Sequence, residues 1–372
     1  MGKAERMEEQ RARFAVVADD LTGACDSAVA FAERGLAVEV MLDREAAPGV
    51  DRAWAVSTES RELAEEDSAR RVRDALARAA GACEVFKKID SVFRGNTFAE
   101  IRAAVESVPH DLVVLSPAYP AMGRTVRDGV LHIREAGQSR AVDLREGLRA
   151  AGLSEVVLLR VGNALHEQGK GVVLCDAESQ EDLVRTVAEA RRGGGRVLWI
   201  GSGGLAFALA AGIPALPQRH ESWPAEGAVV LFVGSDHPVT KKQVERLKLS
   251  AQVLEAKMDE FVGCGPEPQV VLLNVVRGVT TEEQIRRSVE QLSAQGIACC
   301  LMTGGDTAML VCRALGTQSL RLTKEFAPGL PQGIAKGGVL DGIHVILKSG
   351  GFGADDVLVP LRHRFVERKE CV

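Results

Sequence analysis

Two adjacent acids, Asp19 and Asp20, stand at the end of the apolar run Phe14-Ala15-Val16-Val17-Ala18 and open the segment Leu21-Thr22-Gly23-Ala24. A carboxylate pair repels itself, and the repulsion lifts one pKa toward the range of a general base that takes a proton from a hydroxyl. The plainer alternative makes one acid the N-cap of the next helix and the other a solvated neighbour. Near the other end, Thr303-Gly304-Gly305-Asp306-Thr307 and Lys348-Ser349-Gly350-Gly351-Phe352-Gly353 each follow an apolar, strand-like segment. Glycine turns of this kind expose backbone N–H groups and suit phosphate. Acids in one half and phosphate-seeking turns in the other are the combination expected of phosphoryl transfer to a hydroxyl.

Three further clusters follow strand-like segments. Lys87-Lys88-Ile89-Asp90-Ser91-Val92-Phe93-Arg94-Gly95-Asn96 gathers cations and polar side chains suited to a small carboxylate, with Arg94 able to bind one through two parallel hydrogen bonds. Pro117-Ala118-Tyr119-Pro120-Ala121-Met122-Gly123-Arg124 is a proline-stiffened loop ending in a second candidate cation, Arg124. Gly234-Ser235-Asp236-His237-Pro238-Val239-Thr240 closes a strand and opens a helix, so Ser235 and its backbone amides suit a nucleotide. Each run also has a structural reading, as a charged surface, a rigid loop or a tight turn. Gly201-Ser202-Gly203-Gly204-Leu205-Ala206 fits G-x-G-x-x-A, a dinucleotide-binding pattern, but no second βα unit follows to hold an adenosine. The D-x-D of an aspartyl-phosphate enzyme is absent around Asp19, whose flanks are Ala18 and, beyond Asp20, Leu21.

Such residues need a scaffold that delivers them to one edge. Apolar runs alternate with segments of helical period along the chain, the pattern of a mainly parallel α/β sheet, in which ligands sit beyond the carboxyl ends of the strands. Strands are expected over 14–18, 38–42, 53–57, 83–89, 112–116, 156–160, 172–175, 197–200, 228–233, 270–274, 298–302 and 344–348. Helices are expected over 23–34, 62–80, 241–249, 281–295 and 306–315. Three prolines between Ile213 and Pro224 interrupt the periodicity and mark a join. The fold class expected is α/β with two lobes, each built on a mainly parallel sheet flanked by helices, an inter-lobe cleft between them, and domains over 1–218 and 225–372.

At 372 residues the chain is long enough for two cores, and 46% hydrophobic with 26% charged residues is a soluble globular composition. A net charge of −5 gives no footprint for nucleic acid or an anionic membrane, and no apolar run approaches spanning length. Eight cysteines without C-x-x-C, and a charged start, Met1–Arg13, without an apolar core, point to free thiols in a reducing cytoplasm. No histidine spacing marks a metal site. A homodimer is allowed, and the sequence leaves the oligomer open.

These residues carry a resemblance. Ala18 to Asp26 (A-D-D-L-T-G-A-C-D), Lys87 to Asn96, Pro117 to Arg124, Gly201 to Ala206, Gly234 to Thr240, Thr303 to Thr307 and Lys348 to Gly353 resemble, in order, the signature runs of the four-carbon acid sugar kinases. The first two runs are highly specific; the glycine turns alone are not. The resemblance implies an N-terminal lobe binding threonate, erythronate or 3-oxo-tetronate, a C-terminal lobe binding ATP, and phosphorylation of the C4 hydroxyl. It implies that Asp20 or Asp19 is the base and that Lys88, Asp90, Ser91, Arg94 and Arg124 hold the substrate. Ser235, Gly304, Gly305, Asp306, Thr307 and Gly350 would line the nucleotide, with Mg2+ accompanying ATP and Asp306 near it. The chain departs from the family at His237 and Phe93 and after Gly129, and Arg134–Val142 reads as a trimmed segment bearing on substrate choice. A non-catalytic acid-sugar sensor, or an NAD-dependent dehydrogenase using Gly201–Ala206, are the other classes the residues allow.

Overall fold

The computed structural model describes residues 14–43, 45, 53–135, 137–165, 171–217, 227–250, 253–256, 258, 270–293 and 296–361. Met1–Arg13, Cys264, Cys371 and residues 218–224 of the proline-rich join lie outside them. The chain divides into two compact units, Met1–Gln218 and Arg219–Val372.

The first unit opens with β1 (Phe14–Ala18), five residues without a polar side chain and buried throughout. Helix α1 (Leu21–Ala32) follows at once. All its residues are buried, Asp26 and Ser27 included, so it packs within the protein on every side. Then come β2 (Val38–Met41), β3 (Ala53–Ser57), α2 (Glu65–Ala79), β4 (Glu84–Lys88), α3 (Thr97–Ser107), β5 (Leu112–Ser116), β6 (Arg124–Arg127), β7 (Val130–Glu135), β8 (Gln138–Asp143), α4 (Leu144–Ala150), β9 (Val156–Leu159), β10 (Gly171–Cys175), α5 (Gln180–Gly193), β11 (Val197–Gly201) and α6 (Gly203–Ala211). Acids in the first turn of α2 complement the positive end of that helix, and a Ser179–Asp182 capping box satisfies N–H groups that α5 leaves unpaired.

Eight strands form one sheet in the order β2-β3-β1-β4-β11-β5-β10-β9, every pair parallel. Strand β4 lies between β1 and β11, with Val16 opposite Phe86 and Trp199 opposite Phe86 on its two sides. Helices α1, α6 and α5 pack in sequence, and so do α2, α3 and α4. The segment read as trimmed lies within an antiparallel meander, β6-β7-β8, that the periodicity did not predict.

The second unit contains β12 (Ala228–Val233), α7 (Pro238–Ser250), β13 (Val253–Ala256), β14 (Val270–Asn274), α8 (Glu282–Ser293), β15 (Ile297–Thr303), α9 (Gly305–Ala314), β16 (Ser319–Ala327), β17 (Leu330–Lys336) and β18 (His344–Lys348). Its strands run β13-β14-β12-β15-β18-β17-β16, parallel as far as β18, with β17 antiparallel to both neighbours. Val229, Leu231, Leu272, Leu301 and Ile346 pack with Leu247 and Leu358 in its core. Each unit therefore carries the mainly parallel, helix-flanked sheet expected, and the β16–β17 hairpin is an unforeseen addition.

Among the described cysteines Cys25, Cys175, Cys299, Cys300 and Cys312 are buried thiols and Cys83 an exposed one. No helix among the described residues is long and apolar enough to cross a membrane.

Candidate active site

Parallel strands deliver their carboxyl ends to one edge, and in the first unit that edge is where the charged residues collect. Asp20 is the N-cap of α1. Its Oδ1 accepts the Gly23 N–H at 2.8 Å, and its Oδ2 accepts the Thr22 hydroxyl and Arg61 Nη1, both at 2.8 Å. Asp19 is not the solvated neighbour that the plainer alternative required. It is 3% exposed, its Oδ2 accepts Arg61 Nε at 2.7 Å, and its Oδ1 is sealed from solvent without a hydrogen-bond partner. Arg61 also reaches Asp90 Oδ2 at 3.2 Å, so one guanidinium ties three acids together.

This arrangement separates the two carboxyls electrically. Burial raises both pKa values. At Asp20, Arg61, Lys88, the Thr22 hydroxyl and the Gly23 N–H outweigh burial and hold the carboxyl below its usual range. At Asp19 burial prevails over Arg61, assisted by the charge of Asp20, and the pKa rises. Asp90 is also buried, but Arg61 and Arg94 hold it well below the usual range. Arg94 Nε and Nη2 donate to its Oδ2 at 3.0 and 2.6 Å, while its Oδ1 accepts the backbone N–H of Val92 and Arg94.

Lys88, at the end of β4, is 3% exposed and forms no ion pair with a described residue. Its ammonium favours the charged forms of Asp19, Asp20, Asp26 and Asp90. Gly23 makes room for it, since a Cβ there would lie 2.8 Å from Lys88 Nζ and 2.6 Å from Asp20 Oδ1. Ser91 is buried beside Asp90. Arg124 is buried on β6 and donates to the Met122 carbonyl and to Glu135 Oε1, so its charge is already shared.

Beneath this layer lies a buried ion pair. Lys87 Nζ donates to Glu100 Oε2 and to the Lys88 carbonyl, both at 2.8 Å, and Glu100 Oε1 accepts the hydroxyls of Ser60 and Ser68. Lys87 and Glu100 side chains are 0% and 2% exposed, and the burial penalty on Glu100 is outweighed by Lys87, which lowers its pKa. The pair fastens the end of β4 to α3 and to the loop carrying Arg61. Gly95 fits against the same loop, where a Cβ would meet the Arg61 carbonyl at 2.5 Å, and Asn96 Nδ2 donates to the Leu63 carbonyl. The G-N of the second motif is thus explained by close contact with the Arg61 loop.

Sequence reasoning missed Arg61, Glu100 and Asp26. Arg61 follows β3 as Asp19 follows β1, so the strand-end rule, applied to Thr58-Glu59-Ser60-Arg61, points to it. Glu100 sits inside α3, and Asp26 lies six residues into a wholly buried helix, where no spacing rule marks either.

The G-x-G-x-x-A run serves packing. A Cβ on Gly201 would collide with the Ser116 carbonyl, one on Gly204 with the Ala118 carbonyl, and one on Gly203 would lie 2.5 Å from the Tyr119 ring and 2.8 Å from Asp26 Oδ1. Ser202 Oγ donates to the Pro117 and Ala118 carbonyls. Protein atoms occupy the space that a pyrophosphate needs.

In the second unit the turns after β12, β15 and β18 converge. Thr303 Oγ1 accepts the N–H groups of Gly234 and Ser235, and Gly304 N–H donates to the Lys348 carbonyl. A Cβ on Gly350 would lie 2.5 Å from Ser235 Oγ, and one on Gly234 would collide with Thr307 Oγ1. Gly304 has φ +92°, a left-handed conformation that L side chains rarely adopt, and is the N-cap of α9. That helix start presents the backbone of Gly305, Asp306 and Thr307; the Asp306 side chain is 69% exposed, with Arg277 3.7 Å away. His237, a departure from the family, takes over a capping task by accepting the Val239 N–H at its Nδ1. Lys348, also missed by sequence reasoning, is fully buried and donates to Thr240 Oγ1 at 2.9 Å and to the carbonyls of Ser349 and Gly350 at 3.1 and 3.0 Å. Burial pushes its pKa down to about 7.

Comparison with known proteins covers both units. The family model described as a sugar-binding N-terminal domain matches residues 14–150 and 134–209, and the model described as a nucleotide-binding C-terminal domain matches 270–358. The chain is 30% identical to a D-threonate kinase of Bordetella bronchiseptica, covering 95% of this chain and 98% of that one. It is 31% identical to a D-threonate kinase of Cupriavidus necator (92% and 95% covered) and 26% identical to a 3-oxo-tetronate kinase of Actinobacillus succinogenes (94% and 99%). Among solved structures, a Salmonella typhimurium LT2 protein aligns with a TM-score of 0.71 at 21% identity, covering 95% of this chain and 99% of that one. A Haemophilus influenzae protein aligns with a TM-score of 0.68 at 22% identity, covering 95% and 100%. These two share the fold.

Proposed function

Because this chain belongs to the four-carbon acid sugar kinase family, we propose that it transfers the γ-phosphoryl group of ATP to the C4 hydroxyl of threonate, erythronate or 3-oxo-tetronate. It is an ATP-dependent kinase acting on an acid sugar. Residues 1–218 bind the acid sugar and 225–372 the nucleotide. The relatives at 30–31% identity are D-threonate kinases, which makes threonate the first substrate to test.

The observation that carries the residue assignment is the asymmetry of the acid pair. Asp20 has both oxygens engaged and a lowered pKa, whereas Asp19 has a raised pKa and an oxygen without a partner. Asp19 is therefore the base, and Asp20 caps the helix and anchors Arg61. The hydroxyl proton passes to Asp19 as the new O–P bond forms and the bond from the γ-phosphorus to the β-phosphate oxygen breaks, leaving ADP. Lys88 and Arg94 take the sugar carboxylate, and Asp90, Ser91 and Arg124 complete its surroundings. Ser235, the backbone of Gly304, Gly305 and Thr307, and Gly350 hold the phosphates.

No group of three His, Cys, Asp or Glu side chains among the described residues could hold a metal. The site therefore fits a Mg2+ ion carried by the phosphates, with Asp306 as a protein contact, rather than a protein cage. Such an ion neutralises phosphate charge when bound. Free thiols among the described cysteines support a cytoplasmic setting.

A coupled ADP-release assay over four-carbon acid sugars tests the reading. Wild type is expected to turn over at least one of them, and Asp19→Asn to lose about 10²- to 10⁴-fold in kcat. Asp20→Ala is expected to act on folding as well, costing about 1 kcal/mol through the cap. Absence of ATP consumption with every acid sugar would favour a sensor and refute the kinase.

A further inference from the structure

Asp26 is a buried carboxyl that the fold leaves without a partner. It is 3% exposed, its Oδ1 is sealed from solvent with no hydrogen bond, and no described residue donates to Oδ2. Six residues beyond Asp20 on α1, it sits about 9 Å along the helix axis from the cap. The groups acting on it are Lys88 and Asp90 from the end of β4, Asp20 from the start of α1, and Arg124 from β6. Facing it are Gly203 at the start of α6, whose missing Cβ leaves the space beside Oδ1, and the Tyr119 ring from the loop after β5.

Buried polar groups in folded proteins nearly always have partners, and a carboxylate without one is costly. Lys88, 3% exposed, likewise has no ion pair with a described residue. An acid sugar supplies what both lack, a carboxylate for the ammonium and, along the same short carbon chain, hydroxyls that donate.

We propose that Asp26 accepts a hydrogen bond from the C3 hydroxyl of the acid sugar, and that it thereby makes the enzyme prefer a hydroxylated four-carbon acid over its 3-oxo counterpart. The proposal rests on the acid-sugar kinase reading. A carboxylate only accepts, so it binds a hydroxyl and repels a ketone oxygen. Once protonated it donates, and the preference weakens. Burial pushes the Asp26 pKa up to about 6, with Lys88 and Arg124 opposing and Asp20 and Asp90 assisting. The switch from acceptor to donor thus falls within an accessible pH range, as pH drops through 6.

The test is the ratio of kcat/KM for D-threonate to that for freshly prepared 3-oxo-tetronate, measured from pH 5 to 8 for wild type and Asp26→Asn, with melting curves of both. The ionisation of Asp19 is common to both substrates and cancels in the ratio. Wild type is expected to favour threonate above pH 6 and to lose that preference below it. Asp26→Asn is expected to lose about 10- to 100-fold on threonate, the range for a charge-assisted hydrogen bond, to change little on 3-oxo-tetronate, and to give a ratio flat in pH. It should melt no lower than wild type, because it removes an unpaired buried charge. Equal losses on both substrates, no loss on either, or a marked fall in melting temperature would overturn the proposal while leaving the kinase reading intact. A wild type inactive on all four-carbon acids would remove both.

Discussion

Replacing Arg61 by methionine keeps most of its apolar stem and removes the charge that three acids share. Arg61 lies 2.7 Å from Asp19, 2.8 Å from Asp20 and 3.2 Å from Asp90, with 16% of its own side chain exposed. Breaking a buried ion pair from one side costs about 3–5 kcal/mol, mainly because the surviving charge stays buried. In a unit of this size about 2–4 °C accompanies each kcal/mol, so a fall on the order of 10 °C is expected near neutral pH. The sign of the pH dependence is fixed. In wild type Asp20 and Asp90 have depressed pKa values, so their stabilisation is present above the unfolded value and lost only in acid. Without Arg61 the burial that already raises Asp19 is opposed less at all three carboxyls, and the folded variant takes up protons as pH falls while the unfolded chain does not. Its stability relative to wild type should therefore recover from pH 8 to pH 5. Circular-dichroism melts of both proteins at four pH values across that range read the gap directly. A gap that is absent, or constant with pH, refutes the view that Arg61 acts by neutralising buried acids.

Gly350→Ala places a Cβ 2.5 Å from Ser235 Oγ and 3.0 Å from His237 Cβ, so it should raise KM for ATP about 10-fold or more while KM for the acid sugar stays within twofold, as initial-rate kinetics will show. Lys348 has a folded pKa of about 7, below its ordinary value, so between pH 7 and 10 the unfolded state holds a proton that the folded state has lost, and stability rises with pH. Lys348→Met should remove that rise, which amounts to at most about 1.4 kcal/mol per pH unit and is measurable by urea denaturation at a series of pH values. Lys87→Met strands Glu100 in a 2% exposed site and should cost about 3–5 kcal/mol, whereas the paired change Lys87→Met with Glu100→Leu should recover part of it.

What the sequence revealed depended on how local the determining physics is. β1, β3 and β5 were legible to the residue because each is an apolar run closed by a polar or turn residue. Asp19, Asp20, Asp90 and Ser235 stood out because they end such runs. The β6–β8 meander was not legible, since polar-rich strands such as Gln138–Asp143 carry no apolar alternation and are held by antiparallel pairing across the meander. The division of labour between Asp19 and Asp20 was likewise out of reach, because Arg61, 41 residues on, decides it. Asp26 and Glu100 matter through burial alone, and burial of a charge inside a helix is a property of the assembled layers.

The central claim is phosphoryl transfer to an acid sugar. Phosphorus-31 NMR of wild-type protein with Mg-ATP and D-threonate, repeated with erythronate and 3-oxo-tetronate, follows it without a coupling enzyme. The account predicts loss of the γ-phosphate resonance, ADP in equal amount, and one new phosphomonoester signal that couples to the C4 protons of at least one substrate. An unchanged ATP spectrum with all three, or ADP accompanied only by free phosphate, would contradict it.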